Sequence, residues 1–176
     1  VVGSAGNTGA IADGVSIHHN DISDAYMWGG RFANCTGDCW FHSDGIQLFA
    51  ERSHTGSSLR NVSIYNNYIH GDWGEHVTSW IYPSGNLNGP LLIYNNILTA
   101  SGPTTYPTNG FIYVLDQSYT PNSVKIYNNT IVTWIRKGSG ISFTGTNGEI
   151  RNNLILAGSA SISVPFSGST LAVSNK

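Results

Sequence analysis

The sequence predicts an all-β solenoid of short parallel strands, and three observations carry that prediction. The 176 residues are 40% apolar and only 10% charged, against roughly 25% charged in an ordinary soluble domain, so the chain cannot clothe helices in Lys, Glu and Arg. Its 21 Gly and 9 Tyr, with abundant Asn, Ser, Thr, Ile and Val, make a composition of strands and tight turns. Above all, one eight-residue motif recurs five times without gaps, which is the mark of a stacked repeat.

In chain order the copies are VSIHHNDI (15–22), VSIYNNYI (62–69), LLIYNNIL (91–98), VKIYNNTI (124–131) and GEIRNNLI (148–155). Each sets an Ile, an Asn three residues later and an apolar residue two beyond that. The anchors Ile17, Ile64, Ile93, Ile126 and Ile150 lie 47, 29, 33 and 24 residues apart. A fixed motif at uneven intervals describes coils of differing length. Between the copies runs a second strand family, DGIQLFA (44–50), EHVTSWIY (75–82), NGFIYVL (109–115), SGISF (139–143) and SASISV (159–164), whose short alternating runs suit half-buried strands. Each coil therefore holds at least two strands. Copies of one motif stacked side by side run in one direction, giving parallel ladders with the Ile residues in a common interior.

The constant Asn has a physical reason. A turn between strands needs a residue that tolerates the left-handed region and hydrogen-bonds locally, and Asn does both. Asn20, Asn67, Asn96, Asn129 and Asn153 are expected to stack at about 4.8 Å with their amides bonded along the column. They are scaffold residues.

With its recurring Ile-x-Asn-Asn-x-Ile and stacked asparagines over residues 12–165, the chain resembles the right-handed, single-stranded parallel β-helix of the pectate-lyase-like superfamily. The resemblance implies one domain, 1–176, of about five to six coils. That fold carries polysaccharide lyases, hydrolases, epimerases, phage tailspikes and passive surface proteins, so function has to be argued from the site.

The net charge of −2 and the lack of any Lys/Arg cluster argue against nucleic acid, and no apolar run is long enough to span a bilayer as a helix. Residues 1–14 have neither the basic start nor the apolar middle of a signal peptide, and no initiator Met precedes them; the reading is a processed or excised product. No amphipathic helix seals either end. The chain is expected to be part of a longer β-helix or to associate end to end.

Charge is unevenly placed. Residues 1–76 hold eight acids and three Arg, residues 77–176 two acids and five bases, and His18, His19, His42, His54, His70 and His76 all fall in the first part. The longest interval contains an insertion at about 23–43 with Trp28, Arg31, Trp40 and the pair Cys35 and Cys39. Cysteines this close suit a small disulfide ring in an oxidising compartment, and long excursions from a solenoid collect on binding faces. At its end HSDGIQ (42–47) resembles the Asp-Gly-Ile strand opening of polysaccharide-acting β-helices, while the paired Asp-Asp, Gly-His-Gly and Arg-Ile-Lys of polygalacturonases are missing. Asp44 is equally readable as a turn cap before Gly45.

Aligning Ile46 with Val77, Ile112 and Ile141 gives one outward column of Gln47, Thr78, Tyr113 and Ser142 and another of Phe49, Trp80 and Leu115, with Asp44, Glu75 and His76 at the rim. Polar groups beside aromatic ones are what sugars bind. The expected substrate contacts are Trp80, Trp28, Trp40, Gln47, Thr78 and Arg31. A lyase acting on an acidic polysaccharide needs a carboxylate neutraliser, a base and an acid; Arg52 or Arg31, then His76, His42 or His54, then Tyr113 could supply them. A hydrolase would use two carboxylates, here Asp44 and Glu75. No cofactor is required on this reading, and no metal site is assigned; calcium on Asp44, Glu51, Asp72 or Glu75 is the one candidate, without a recognisable loop pattern. The expected function is thus a secreted β-helix that binds and cleaves an acidic extracellular polysaccharide, with a noncatalytic carbohydrate binder or a structural segment of a surface or tailspike protein as rivals.

Overall fold

The computed structural model describes residues 2–4, 11–24, 43–50, 56–74, 77–101, 109–116, 124–133, 139–145, 147–156, 160–163 and 170–174. These residues form strands and turns and no helix. In chain order a first pass comprises β1 (Val2–Ser4), β2 (Ile11–Asp13), β3 (Ser16–His18) and β4 (Asp21–Ser23). A second comprises β5 (Ser43–Ala50), β6 (Ser58–Arg60), β7 (Val62–Tyr65) and β8 (Tyr68–His70). Three-strand passes follow: β9 (Val77–Gly85), β10 (Leu91–Tyr94) and β11 (Ile97–Ala100); β12 (Ile112–Asp116), β13 (Val124–Tyr127) and β14 (Thr130–Thr133); β15 (Ser139–Thr144), β16 (Asn147–Arg151) and β17 (Leu154–Leu156). The last described strands are β18 (Ala160–Ser163) and β19 (Thr170–Ser174).

Each of the first five passes visits the same three sheets in the same order, and the last described strands join the first two. The first sheet runs β1-β5-β9-β12-β15-β18, the second β3-β7-β10-β13-β16-β19 and the third β4-β8-β11-β14-β17, with β2 and β6 paired separately. Every pairing is parallel. The chain is thus all-β with parallel sheets, an arrangement compatible with a parallel β-helix. The second strand family of the sequence supplies the first sheet, and each motif copy is cut at its asparagines into one strand of the second sheet and one of the third. A sixth anchor, not recognised in the sequence, is Val173 of β19, which pairs with Ile150.

Alternation of side chains along each strand puts the apolar set inside. Ile64, Ile93 and Ile126 are fully buried, beside Ile69, Leu98 and Ile131 from the third sheet and Ile81, Ile112 and Ile141 from the first. Burying one such side chain contributes about 1.5–3 kcal/mol.

The asparagine column is present, with a division of labour that composition did not reveal. The amide Nδ2 of Asn20, Asn67, Asn96 and Asn129 donates to Oδ1 of the next asparagine at 2.8, 2.9, 2.9 and 2.9 Å. The same four oxygens accept the preceding rung's backbone N–H at 3.2, 3.1, 3.0 and 3.0 Å. Each Nδ2 of Asn67, Asn96, Asn129 and Asn153 also donates to the anchor-Ile carbonyl one pass earlier, at 3.0 Å. The left-handed residue is a different one. It is the residue before the rung, namely His19, Asn66, Asn95, Asn128 and Asn152, with φ of 55°, 54°, 55°, 56° and 53°. The expectation that one asparagine fills both roles is therefore corrected. The outer residue turns the chain, and the inner one, buried in Asn67, Asn96, Asn129 and Asn153, satisfies the backbone that the turn exposes.

Asn96→Ala removes a rung bonded on both sides and leaves a buried carbonyl and N–H without partners, so it is expected to lower stability by about 1–3 kcal/mol. Urea denaturation checks this; a loss under 0.5 kcal/mol would show that the amides are incidental to the stack.

Candidate functional site

The outer face of the first sheet is where the sequence placed the binding residues, and its register decides which of them stand there. Ile46 pairs with Ile81, not Val77, and Ile81 in turn takes the place beside Ile112 that Val77 was expected to fill, whereas Ile112 to Ile141 completes the inner row as expected. Val77 pairs with Ser43, and the register shifts between Ser43 and Asp44, where Thr78 is skipped. The N–H groups of both Trp80 and Ile81 donate to the Phe111 carbonyl, at 3.1 and 3.0 Å. Two successive donors on one acceptor mark a bulge, which lets neighbouring residues escape strict alternation.

Trp80 is the consequence. It is 0% exposed, stacked on Phe111 with centroids 4.4 Å apart and tilted against Trp73 at 5.7 Å. The sequence reading of Trp80 as a sugar platform is corrected, because a ring buried on all sides has no face for a ligand. Thr78 is likewise buried; its carbonyl accepts the Ser79 hydroxyl at 2.7 Å and the Asn109 N–H at 3.3 Å. Gly45 is required here, since a Cβ would lie 2.6 Å from the Trp80 carbonyl oxygen.

The outward column is Gln47, Tyr82 and Tyr113, each half-buried, and Ser142, which completes the row, is buried. Tyr82 was missed in the sequence because the four-residue displacement put Thr78 in its place. The Tyr82 and Tyr113 rings stack at 5.1 Å, 9° from parallel, and Ser142 on the far side of Tyr113 carries no ring. Burial raises the phenol pKa of both above the ordinary 10.0, and for Tyr82 the neighbouring phenol of Tyr113 raises it further. Both hydroxyls therefore keep their protons across the neutral range. The second column is Phe49, Ser84, Leu115 and Thr144. Asp44 stands at the upstream end of the face, half-buried, and its Oδ1 accepts the Ser79 N–H at 3.1 Å.

Of the expected site, the structure thus brings Asp44, Gln47 and Tyr113 to one face and sends Trp80 and Thr78 inward. His42, Glu75, His76, Arg52, His54, Glu51, Trp28, Arg31, Trp40 and the Cys35–Cys39 pair lie outside the described residues. Asp72, a calcium candidate, accepts the Gly74 N–H at 3.0 Å, and among the described residues no three His, Cys, Asp or Glu side chains gather as a metal site would require.

The second sheet carries a further outward column. His18, Tyr65, Tyr94 and Tyr127 stack at 4.7, 4.9 and 5.1 Å, and the Arg151 guanidinium covers the end ring at 5.0 Å. The recurring Tyr of Ile-Tyr-Asn-Asn was the readable signal for it. These rings spend their faces on each other, so the column offers edges and hydroxyls. On the third sheet, His70 Nε2 lies 2.7 Å from Asp21 Oδ1 and its ring stacks on Tyr68 at 4.0 Å.

Comparison with protein-family models, with curated proteins and with solved structures finds no match.

Two outcomes are expected. Trp80→Ala should cost about 3–5 kcal/mol of stability, as loss of a buried aromatic does, while Gln47→Ala on the same sheet stays within about 0.5 kcal/mol; urea midpoints distinguish them. The raised phenols also set a sign. Folding holds Tyr82 and Tyr113 protonated, so their contribution is intact below the unfolded phenol pKa and is lost as pH rises through the folded one. Melting temperature should fall above about pH 10, and less steeply when both are Phe. Equal slopes would remove these phenols from the account.

Proposed function

We propose that this chain is a right-handed parallel β-helix of the pectate-lyase-like kind, with five to six coils, that binds an acidic extracellular polysaccharide across its first sheet and cleaves it as a lyase. The observation that carries this reading is the outward column Gln47, Tyr82 and Tyr113 with Asp44 at its upstream end. An amide and two half-buried phenols give fixed partners for sugar hydroxyls beside aromatic surface.

In a β-elimination a base takes the C5 proton, the C4–O bond breaks and the leaving oxygen takes up a proton, while a cation offsets the uronate charge. Tyr113 fits the acid, because its burial keeps the phenol protonated. His42 or His76 as base and Arg52 or Arg31 as neutraliser rest on sequence position alone, the histidines just before β5 and β9 and the arginines in the sequence on either side of β5. Trp28 and Trp40 would wall the groove. Secretion is the setting in which a Cys35–Cys39 bridge would persist, and calcium is not needed by this scheme. A noncatalytic carbohydrate binder is the second reading. It is favoured by Asp44, whose bond to the Ser79 amide uses the carboxylate to fasten the bulged strand.

Incubation with a panel of polysaccharides, reading ultraviolet absorbance of unsaturated uronates together with reducing ends, tests the proposal. A lyase raises both, and Tyr113→Phe should then slow turnover by about 100-fold or more while binding persists. Reducing ends alone would make the chain a hydrolase, with Asp44 and Glu75 as the pair to mutate. Binding without either product supports the second reading, and no binding to any polymer overturns both.

A further inference from the structure

The first motif copy departs from the others at two adjacent positions. Where later copies read Tyr-Asn-Asn (65–67, 94–96, 127–129) or Arg-Asn-Asn (151–153), the first reads His18-His19-Asn20. Neighbours on a strand point to opposite faces, but His19 occupies the left-handed corner, φ 55°, and the turn brings both imidazoles to one side. Their Nδ1 atoms meet at 2.7 Å with the rings 88° apart. Two nitrogen lone pairs cannot face each other at that distance, so one proton lies between them. Asn66 Nδ2 approaches His19 Nε2 at 3.3 Å. With that nitrogen accepting, the His19 proton sits on Nδ1 and is donated to His18.

We propose that His18 and His19 form a bidentate site for a divalent transition-metal ion, Cu(II) by preference, in which the metal takes the place between the two Nδ1 atoms and the shared proton moves to His19 Nε2. The geometry supplies the selectivity. Imidazole nitrogens bind such ions at about 2.0 Å, so two on adjacent corners of a square plane stand about 2.8 Å apart, close to the observed pair, whereas a tetrahedral ion spreads its ligands to about 3.3 Å. Both side chains are exposed, and a small rotation of each ring turns the lone pairs from one another to a common point. Water completes the coordination. On the outer side the Asn66 amide lies 3.3 Å from His19 Nε2; turned so that its oxygen accepts the Nε2 proton, it orients the His19 ring, as hydrogen bonds behind metal-bound histidines do. The balance is one Cu–N bond to each neutral ring through its Nδ1 lone pair, the His19 proton moving from Nδ1 to Nε2 with no net proton release; no redox step is involved. Cu(II) also stands highest among these ions in affinity for nitrogen ligands.

The repeat itself provides the variants. His18→Tyr and His19→Asn install residues that the chain already carries at the equivalent positions of β7, β10 and β13 and their corners, so both should fold with unchanged circular dichroism. Copper(II) chloride is titrated into the full chain by calorimetry in two buffers of different protonation enthalpy, with pulsed electron paramagnetic resonance of the loaded protein. The expected result is one site with two equatorial imidazoles, a binding enthalpy that does not depend on the buffer because no net proton is released, and affinity lower by about tenfold or more in either variant. If both folded variants keep the wild-type affinity and spectrum, or if the wild type shows only single-imidazole binding, the site does not exist.

Discussion

The asparagine ladder is the constraint on which the rest of the structure depends. A chain that turns a corner between two strands exposes backbone groups that neither strand can pair, and in a stack of such corners those groups are buried by the neighbours. Each rung answers three needs at once. It donates to the rung ahead, accepts the backbone N–H of the rung behind, and reaches back to the carbonyl of an anchor Ile. Because a rung can do this only when the passes are aligned residue for residue, the ladder fixes the register of the second and third sheets together. A slip of one residue would break every amide bond and turn the Ile row outward.

Register explains what could be read in the sequence and what could not. Around the ladder the motif is gapless, and the pairing of Ile17, Ile64, Ile93, Ile126 and Ile150 in one row was legible from spacing alone. Away from it, intervals vary, and the first sheet had to be aligned by alternation. Alternation assumes no bulge. In β9 the assumption fails twice, at the skipped Thr78 and at the shared Phe111 carbonyl, so Trp80 went to the core and Tyr82 took the outward place. An aromatic next to an Ile is compatible with either face, and only the partner strand decides. The sixth anchor was missed because Val173 stands in a copy that lacks the rung asparagine.

Stacking identical passes makes columns of identical side chains on the outside as well. The Tyr65, Tyr94 and Tyr127 column is the product, and on its own it is surface reinforcement. Burial and the adjoining phenols raise the pKa of Tyr94. The candidate sites lie where the columns are broken. Gln47 and Ser142 interrupt the first sheet on either side of the tyrosine pair, and His18 and His19 interrupt the second at its first pass. The candidate sites are thus positions at which this chain gives up the repetition that stabilises it elsewhere.

The central claim is that adjacent rungs act as one bonded column. A double-mutant cycle on Asn96 and Asn129, which share the 2.9 Å amide bond, measures it most directly when set beside the same cycle on Asn67 and Asn153, two rungs further apart. The account predicts a coupling of about 1 kcal/mol for the adjacent pair and less than about 0.3 kcal/mol for the separated one. Additive losses for Asn96 and Asn129 would contradict it, leaving each asparagine a local turn residue with no ladder between them.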